Sequence, residues 1–134
     1  MGRPKPVEGD VTARTDDYDD IVRVVQLYID AWNDNDISKL RKAFDEDAWI
    51  FYIDAKGICH KHLISESFEG WAAPPSRGVV GRFISVTQVG DAASVQLSFD
   101  FASDKSSGFI DFHNLLRVNG VWKITNKTAT HSSR

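Results

Sequence analysis

Two groups of side chains in this chain have the types and spacing needed to move a proton. The first lies near the C-terminus, in Phe109-Ile-Asp111-Phe-His113, where a carboxylate and an imidazole stand two residues apart. On a strand that spacing puts both on one face. The carboxylate can then orient the imidazole or raise its pKa, and histidine titrates near neutrality. Asn119-Gly120 is a strong hairpin signal, and a two-residue turn there pairs Val118 with Val121. Without a bulge, that register sets Asp111 opposite Thr128 and His113 opposite Asn126. Asp111 as general base, or as the group orienting His113, His113 as proton shuttle and Asn126 polarising a substrate oxygen would form an acid/base site. In the same register Lys127 falls on the other face, so an ion pair with Asp111 requires a bulge. The other reading of these residues is structural, with Asp111 in a salt bridge and His113 a satisfied core histidine.

The second group is Tyr52, Asp54, His60 and His62. A turn at Ala55-Lys56-Gly57 places Tyr52 across from His60, with Asp54 and His62 on the same side. By itself the group describes a short edge hairpin with solvated histidines. His60-x-His62 has the spacing of two metal ligands on a strand but lacks a third at a known spacing, so no metal is expected. Cys59 points away from these histidines and is read as a packing residue rather than a nucleophile. Tyr28 and Trp32 lie at helical spacing with Ile21, Val24 and Val25, which makes them core residues that can also line a pocket.

The elements that position these groups follow from periodicity. Residues 1–16, with two prolines and few large apolar groups, read as a flexible arm, and residues 17–134 as one domain. The helix carrying Tyr28 starts near Ile21, behind the acidic run Asp16, Asp17, Asp19 and Asp20, and ends near Asn33. Asn35 or Asp36 caps a second helix over 37–44. Strands are expected over 48–54 and 58–62, a short helix over 64–71, a loop over 72–78, and then strands over 82–89, 92–102, 108–118 and 121–130. Gly90-Asp91 and Asn119-Gly120 are the hairpin turns. Helices first and an antiparallel meander afterwards give an α+β domain. Both faces of the last hairpin are partly apolar, which suits a sheet covered by helices on one side and by a partner on the other.

Composition narrows the function classes. The chain has 134 residues, 42% hydrophobic and 26% charged, with a net charge of −3. That balance argues against nucleic acid as a partner. The longest apolar run, Ala48–Ile53, is far below the roughly 20 residues of a membrane span. A single cysteine excludes an intrachain disulfide. With no apolar leader segment in its first residues, the chain is expected to be cytoplasmic. It has no glycine-rich phosphate cradle, so no nucleotide cofactor is expected.

Four segments in this order resemble the nuclear transport factor 2-like superfamily, the cystatin-like α+β cone. They are the Tyr28–Trp32 helix with Asn33-Asp34-Asn35-Asp36, then Ala43-Phe44-Asp45-Glu46-Asp47-Ala48, then Val86-Thr-Gln-Val-Gly-Asp-Ala-Ala93. The last runs from Phe109-Ile-Asp111 through Leu115 to Asn119-Gly120-Val-Trp122-Lys-Ile124-Thr-Asn126-Lys127. It is similar to the close of the subgroup labelled "Putative lumazine-binding". The match covers residues 18–131, and the fold it implies is shared by ketosteroid isomerase, scytalone dehydratase and polyketide cyclases. The resemblance implies a strongly bent, mostly antiparallel sheet wrapped around N-terminal helices, with a pocket at the open end, and homodimers through the sheet. The functional expectation is a pocket protein for a small, largely apolar or aromatic molecule. One form is a cofactor-independent isomerase, dehydratase or cyclase using Asp111 and His113, with Tyr28, Trp32, Tyr52, His60, Asn126 and Thr128 around the substrate. The alternative is a non-catalytic binding module or dimeric scaffold of the same fold.

Overall fold

A computed structural model describes residues 7–132. Helix α1 runs Val7–Asp34, α2 Ile37–Ala43, β1 Phe44–Ile53 and β2 Cys59–Leu63. A 3-10 turn over Ile64–Ser67 leads into α3, Phe68–Ala72, and β3 Val79–Val89, β4 Ala92–Phe101, β5 Asp104–Val118 and β6 Val121–His131 follow. The six strands form one open sheet in the order β2-β1-β6-β5-β4-β3. All neighbours are antiparallel except β1 and β6, which pair in parallel. This is the α+β architecture the sequence implies.

Local chemistry sets the boundaries. In α1, Ile21, Val25, Tyr28 and Trp32 bury one face at helical spacing. The helix closes at Asn35, whose φ of 52° is the left-handed conformation that asparagine tolerates. The Asp36 carboxylate then accepts a hydrogen bond from the Ser38 backbone N–H at 3.0 Å and caps α2. At the last hairpin, Asn119 and Gly120 both take positive φ, 53° and 80°, the geometry of a tight two-residue turn. Gly81 answers a different need. A Cβ there would come within 2.4 Å of the Ile29 side chain, so its absence lets α1 lie close against β3. The Asn33 side chain fastens the same junction, donating to the Val79 carbonyl at 2.9 Å and accepting from its N–H.

The core sits between α1 and the inner face of the sheet. Val95, Leu97 and Phe99 of β4, Leu115 of β5 and Ile124 of β6 are almost wholly buried against it. Each such side chain contributes about 1.5–3 kcal/mol on leaving water. The outer face keeps Trp49, Phe51, Phe112 and Leu116 exposed. The apolar run of β1 therefore splits by alternation, with Ala48 and Ile50 inward and Trp49, Phe51 and Ile53 outward.

Several expectations change. Residues 1–6 of the expected arm lie outside the described residues, and residues 7–16 continue α1. β1, β3 and β5 begin several residues earlier than periodicity suggested, because pairing with neighbours extends a strand beyond its alternating segment. The single helix expected over 64–71 is a 3-10 turn followed by a short α-helix. Cys59 is exposed at the sheet edge rather than packed.

The largest change is in the β5–β6 register. Val118 pairs with Val121 and Leu115 with Ile124, as the tight turn requires, but the register shifts between Asn114 and Leu115. Thr125 is the extra residue, and beyond it Asn114 pairs with Asn126, His113 with Lys127 and Asp111 with Ala129. A bulge of one residue reverses the faces of everything past it on one strand. Lys127 therefore turns inward, and Asn126 and Thr128 turn outward.

Candidate functional site

The inward strand faces of β5 and β6 meet α1 at a cluster of four polar side chains: Asp111, His113, Lys127 and Tyr28. All are buried, the first two completely. The Lys127 ammonium donates to the Tyr28 hydroxyl at 2.7 Å and lies 3.7 Å from an Asp111 carboxylate oxygen. His113 Nε2 is 3.4 Å from the same oxygen. These approaches are electrostatic rather than well-formed hydrogen bonds, since neither Asp111 oxygen nor either His113 ring nitrogen has a hydrogen-bond partner.

Charges of this depth stay in place only when they compensate one another. Burial pushes the Asp111 carboxyl up, and the nearby Lys127 charge with His113 more than offsets it, holding it below the usual carboxylate range. Burial also lowers the pKa of His113 against the pull of Asp111, so its ring is neutral. Lys127 is lowered by burial and supported by Asp111. The Tyr28 hydroxyl is pushed well up by burial and by the Asp111 charge. Asp111 and Lys127 each favour the other's charged form, while burial disfavours the charged forms of His113 and Tyr28. Aromatic faces add to the hold on the cation, with Lys127 Nζ 4.7 Å from the Trp71 ring centroid and 4.9 Å from that of Tyr28.

Tyr28 and Lys127 form the boundary between this cluster and a cavity of about 320 Å3. The volume is at the lower end of small-molecule sites, roughly 300–1,000 Å3. Phe99, Ala129 and Lys127 line it from the sheet, and Trp32, Trp71, Tyr52 and Phe109 supply aromatic walls. Trp32 stacks on Trp71 with centroids 5.5 Å apart, which fixes the short α3 against α1. The exposed Arg77, its guanidinium 3.7 Å from the Phe101 ring centroid, stands on the rim. A wider groove of about 730 Å3 lies between α2, β1 and α3. Its walls carry Arg41, Glu46, Glu66, Glu69 and Lys123, charges of both signs around a surface depression.

Of the residues singled out in sequence, Tyr28, Trp32 and Tyr52 line the aromatic cavity. Asp111 and His113 lie beside each other and do not line it; Tyr28 and Lys127 stand between. Asn126 and Thr128 belong to the outer face, where Asn126 accepts a hydrogen bond from Asn114 at 2.9 Å and Thr128 is exposed. His60 stacks on Tyr52 at 4.5 Å, opposite it in the ladder as the turn predicts, and does not line the cavity. It donates to Asp54 at 2.8 Å, and this hydrogen bond holds the Asp54 carboxyl down at about 2. His62 contacts the Ser67 hydroxyl at 2.8 Å, so the two histidines have separate partners. Sequence reasoning missed Lys127, Phe99 and Trp71. One signal for Lys127 was present: the inward apolar phase of β6 runs through Trp122 and Ile124 and resumes at Ala129, which requires an extra residue between.

The family model described as "Putative lumazine-binding" matches residues 16–129. The chain belongs to this family. Solved structures share its fold. An NTF2-like protein of unknown function from Shewanella baltica OS155 is 28% identical with a TM-score of 0.78, covering 90% of this chain and 97% of that one. An NTF-2 like protein of unknown function from Silicibacter pomeroyi DSS-3 is 20% identical with a TM-score of 0.76, covering 89% and 98%. A domain of unknown function with a cystatin-like fold from Nostoc punctiforme is 18% identical with a TM-score of 0.71, covering 90% and 80%. The last two bear on the fold alone. No curated protein matches the sequence. As a member of the putative lumazine-binding family, the chain has its ligand-sized space between α1, α3 and the inner sheet face. Among the described residues no helix is long and apolar enough to cross a membrane.

Proposed function

We propose that this protein binds a small, flat, mostly apolar molecule in the aromatic cavity, with a polar acceptor of the ligand on Lys127. The observation that carries this reading is an ammonium group, already neutralised by Asp111, set among the rings of Trp71, Tyr28 and Phe99 in the cavity lining. Flat ligands suit ring-lined walls, and a single buried donor gives orientation. Because Asp111 already balances the ammonium, a neutral carbonyl oxygen is a better match there than a second anion. Lumazine, named in the family description, is a bicyclic dione of this kind. Binding without chemistry is favoured over catalysis by Asp111 and His113, since both lie behind Tyr28 and Lys127.

Trp32 and Trp71 report on occupancy directly. Titration with lumazine and with 2-naphthol should give saturable quenching of tryptophan fluorescence. Ser107→Trp, which fills the cavity from a half-buried position in its lining, should weaken that binding by about tenfold or more. Unsaturable quenching, identical in the variant, rejects the cavity as the site.

We also propose that the outer sheet face pairs two copies of the chain. Its support is the exposed Trp49, Phe51, Phe112 and Leu116 on neighbouring parts of one face. Sedimentation should give twice the chain mass for the protein and the single mass for Phe112→Lys. A single mass for both rejects the pairing.

A further inference from the structure

We infer that Lys127 is a carbonyl-reactive amine, and that the cavity takes up an aromatic aldehyde or ketone as a reversible imine on its Nζ. The inference rests on the cavity being a ligand site, and it adds the ligand's chemical class and a covalent step.

Three observations converge on this residue. Lys127 is the lysine of the cavity lining, itself buried, in a space walled by aromatic rings. A flat carbonyl compound seated on those walls can present its polar carbon to Nζ, with the Tyr28 hydroxyl beside it in the same lining. Second, the Tyr28 hydroxyl is 2.7 Å from Nζ and lines the same cavity. A hydroxyl there can relay a proton between the amine and the oxygen that must leave. Third, Asp111 lies 3.7 Å from Nζ, fully buried and itself without a hydrogen-bond partner. It is a fixed counter-charge for a cation at the nitrogen.

The step balances without a co-reactant. The Lys127 ammonium gives up one proton to the Asp111 carboxylate 3.7 Å away, and its lone pair attacks the carbonyl carbon to form a carbinolamine. The C–O bond then breaks, with the transferred protons leaving on oxygen as water, and the nitrogen retains one proton as an iminium. An aldehyde and an ammonium thus give an iminium and water. The positive charge begins and ends on the same nitrogen, beside the same carboxylate, which holds the proton in between. No new buried charge is created, which is the condition a site this deep imposes. Burial also lowers the pKa of the ammonium, which increases the share of free amine.

The test treats the whole protein with 2-naphthaldehyde and sodium cyanoborohydride, then maps modified lysines by peptide mass spectrometry. The corresponding alcohol, 2-naphthalenemethanol, serves as a competitor that can fill the cavity without reacting. The expected result is modification of Lys127 about tenfold faster than of the exposed Lys42, Lys56 and Lys61, slowed by the alcohol. Modification confined to the surface lysines, while the alcohol still quenches tryptophan fluorescence saturably, overturns the imine and leaves the ligand site standing. If the alcohol fails to quench and Lys127 is unmodified, the site and the imine fall together. The readout on the unaltered protein makes the outcome independent of whether a Lys127 variant folds.

Discussion

Lys127→Met should lower unfolding free energy by about 3–5 kcal/mol, the usual cost of stripping one partner from a buried ion pair. The methionine fills much of the same volume and keeps the contact with Trp71 and Phe99, so packing loss is a small part of the effect. What remains is the Asp111 carboxylate, fully buried, with neither oxygen hydrogen-bonded. The second half of the expectation distinguishes this cause from a simple cavity. Lys127→Met combined with Asp111→Leu removes both charges and should return to within about 1–2 kcal/mol of the parent, since apolar replacement of a whole buried pair is often neutral. Urea unfolding of the parent, both single variants and the double variant closes the cycle. Additive losses would mean that the two groups are not coupled.

Stability should rise with pH from the acid side toward about pH 10 and decline above it. Three groups drive the rise. His113 has a lowered pKa in the fold, chiefly through burial, so between that value and about 6.5 the unfolded chain takes up a proton that the native ring refuses. Stability is therefore lost as pH falls below about 6.5. Asp111, held low by Lys127 and His113 against its burial, contributes above its unfolded value of about 3.9 and loses that contribution under stronger acid. Lys127 is lowered by burial, so raising pH toward its unfolded value of about 10.4 relieves the cost of keeping it charged inside. The decline has one main source here. Tyr28 is raised well above 10 by burial, and the unfolded chain gains by ionising a hydroxyl that the native state keeps protonated. Thermal midpoints measured from pH 4 to 10.5 test the shape, and His113→Phe should flatten the segment between pH 5 and 7. An unchanged slope in that variant would assign the acid sensitivity elsewhere.

Much of the frame could be read from residue order. Asn119-Gly120 set the last turn and the first pairs beside it, Gly90-Asp91 set the preceding one, and Tyr52 met His60 because their turn was local. Tyr28 and Trp32 were placed inward by helical spacing, which depends only on neighbours within a few turns. The α1 start was not legible. Proline and glycine among residues 1–16 and the acidic run at 16–20 both pointed to a later beginning, yet the helix spans Val7–Asp34.

What the sequence determined by itself was therefore the kind and order of elements, and the two residues, Asp111 and His113, that share one strand face. Only the tertiary structure decided what they meet. Side chains on a strand alternate with period two, so each facing assignment depends on every pairing between it and the turn. One unpaired residue, Thr125, moved Asn126 and Thr128 to the outside and brought Lys127 in beside Asp111. The cavity itself is assembled from α1, α3, β1, β4, β5 and β6, whose contributions are far apart in the chain. Its chemistry, an amine held between a carboxylate and aromatic rings, is a property of that packing.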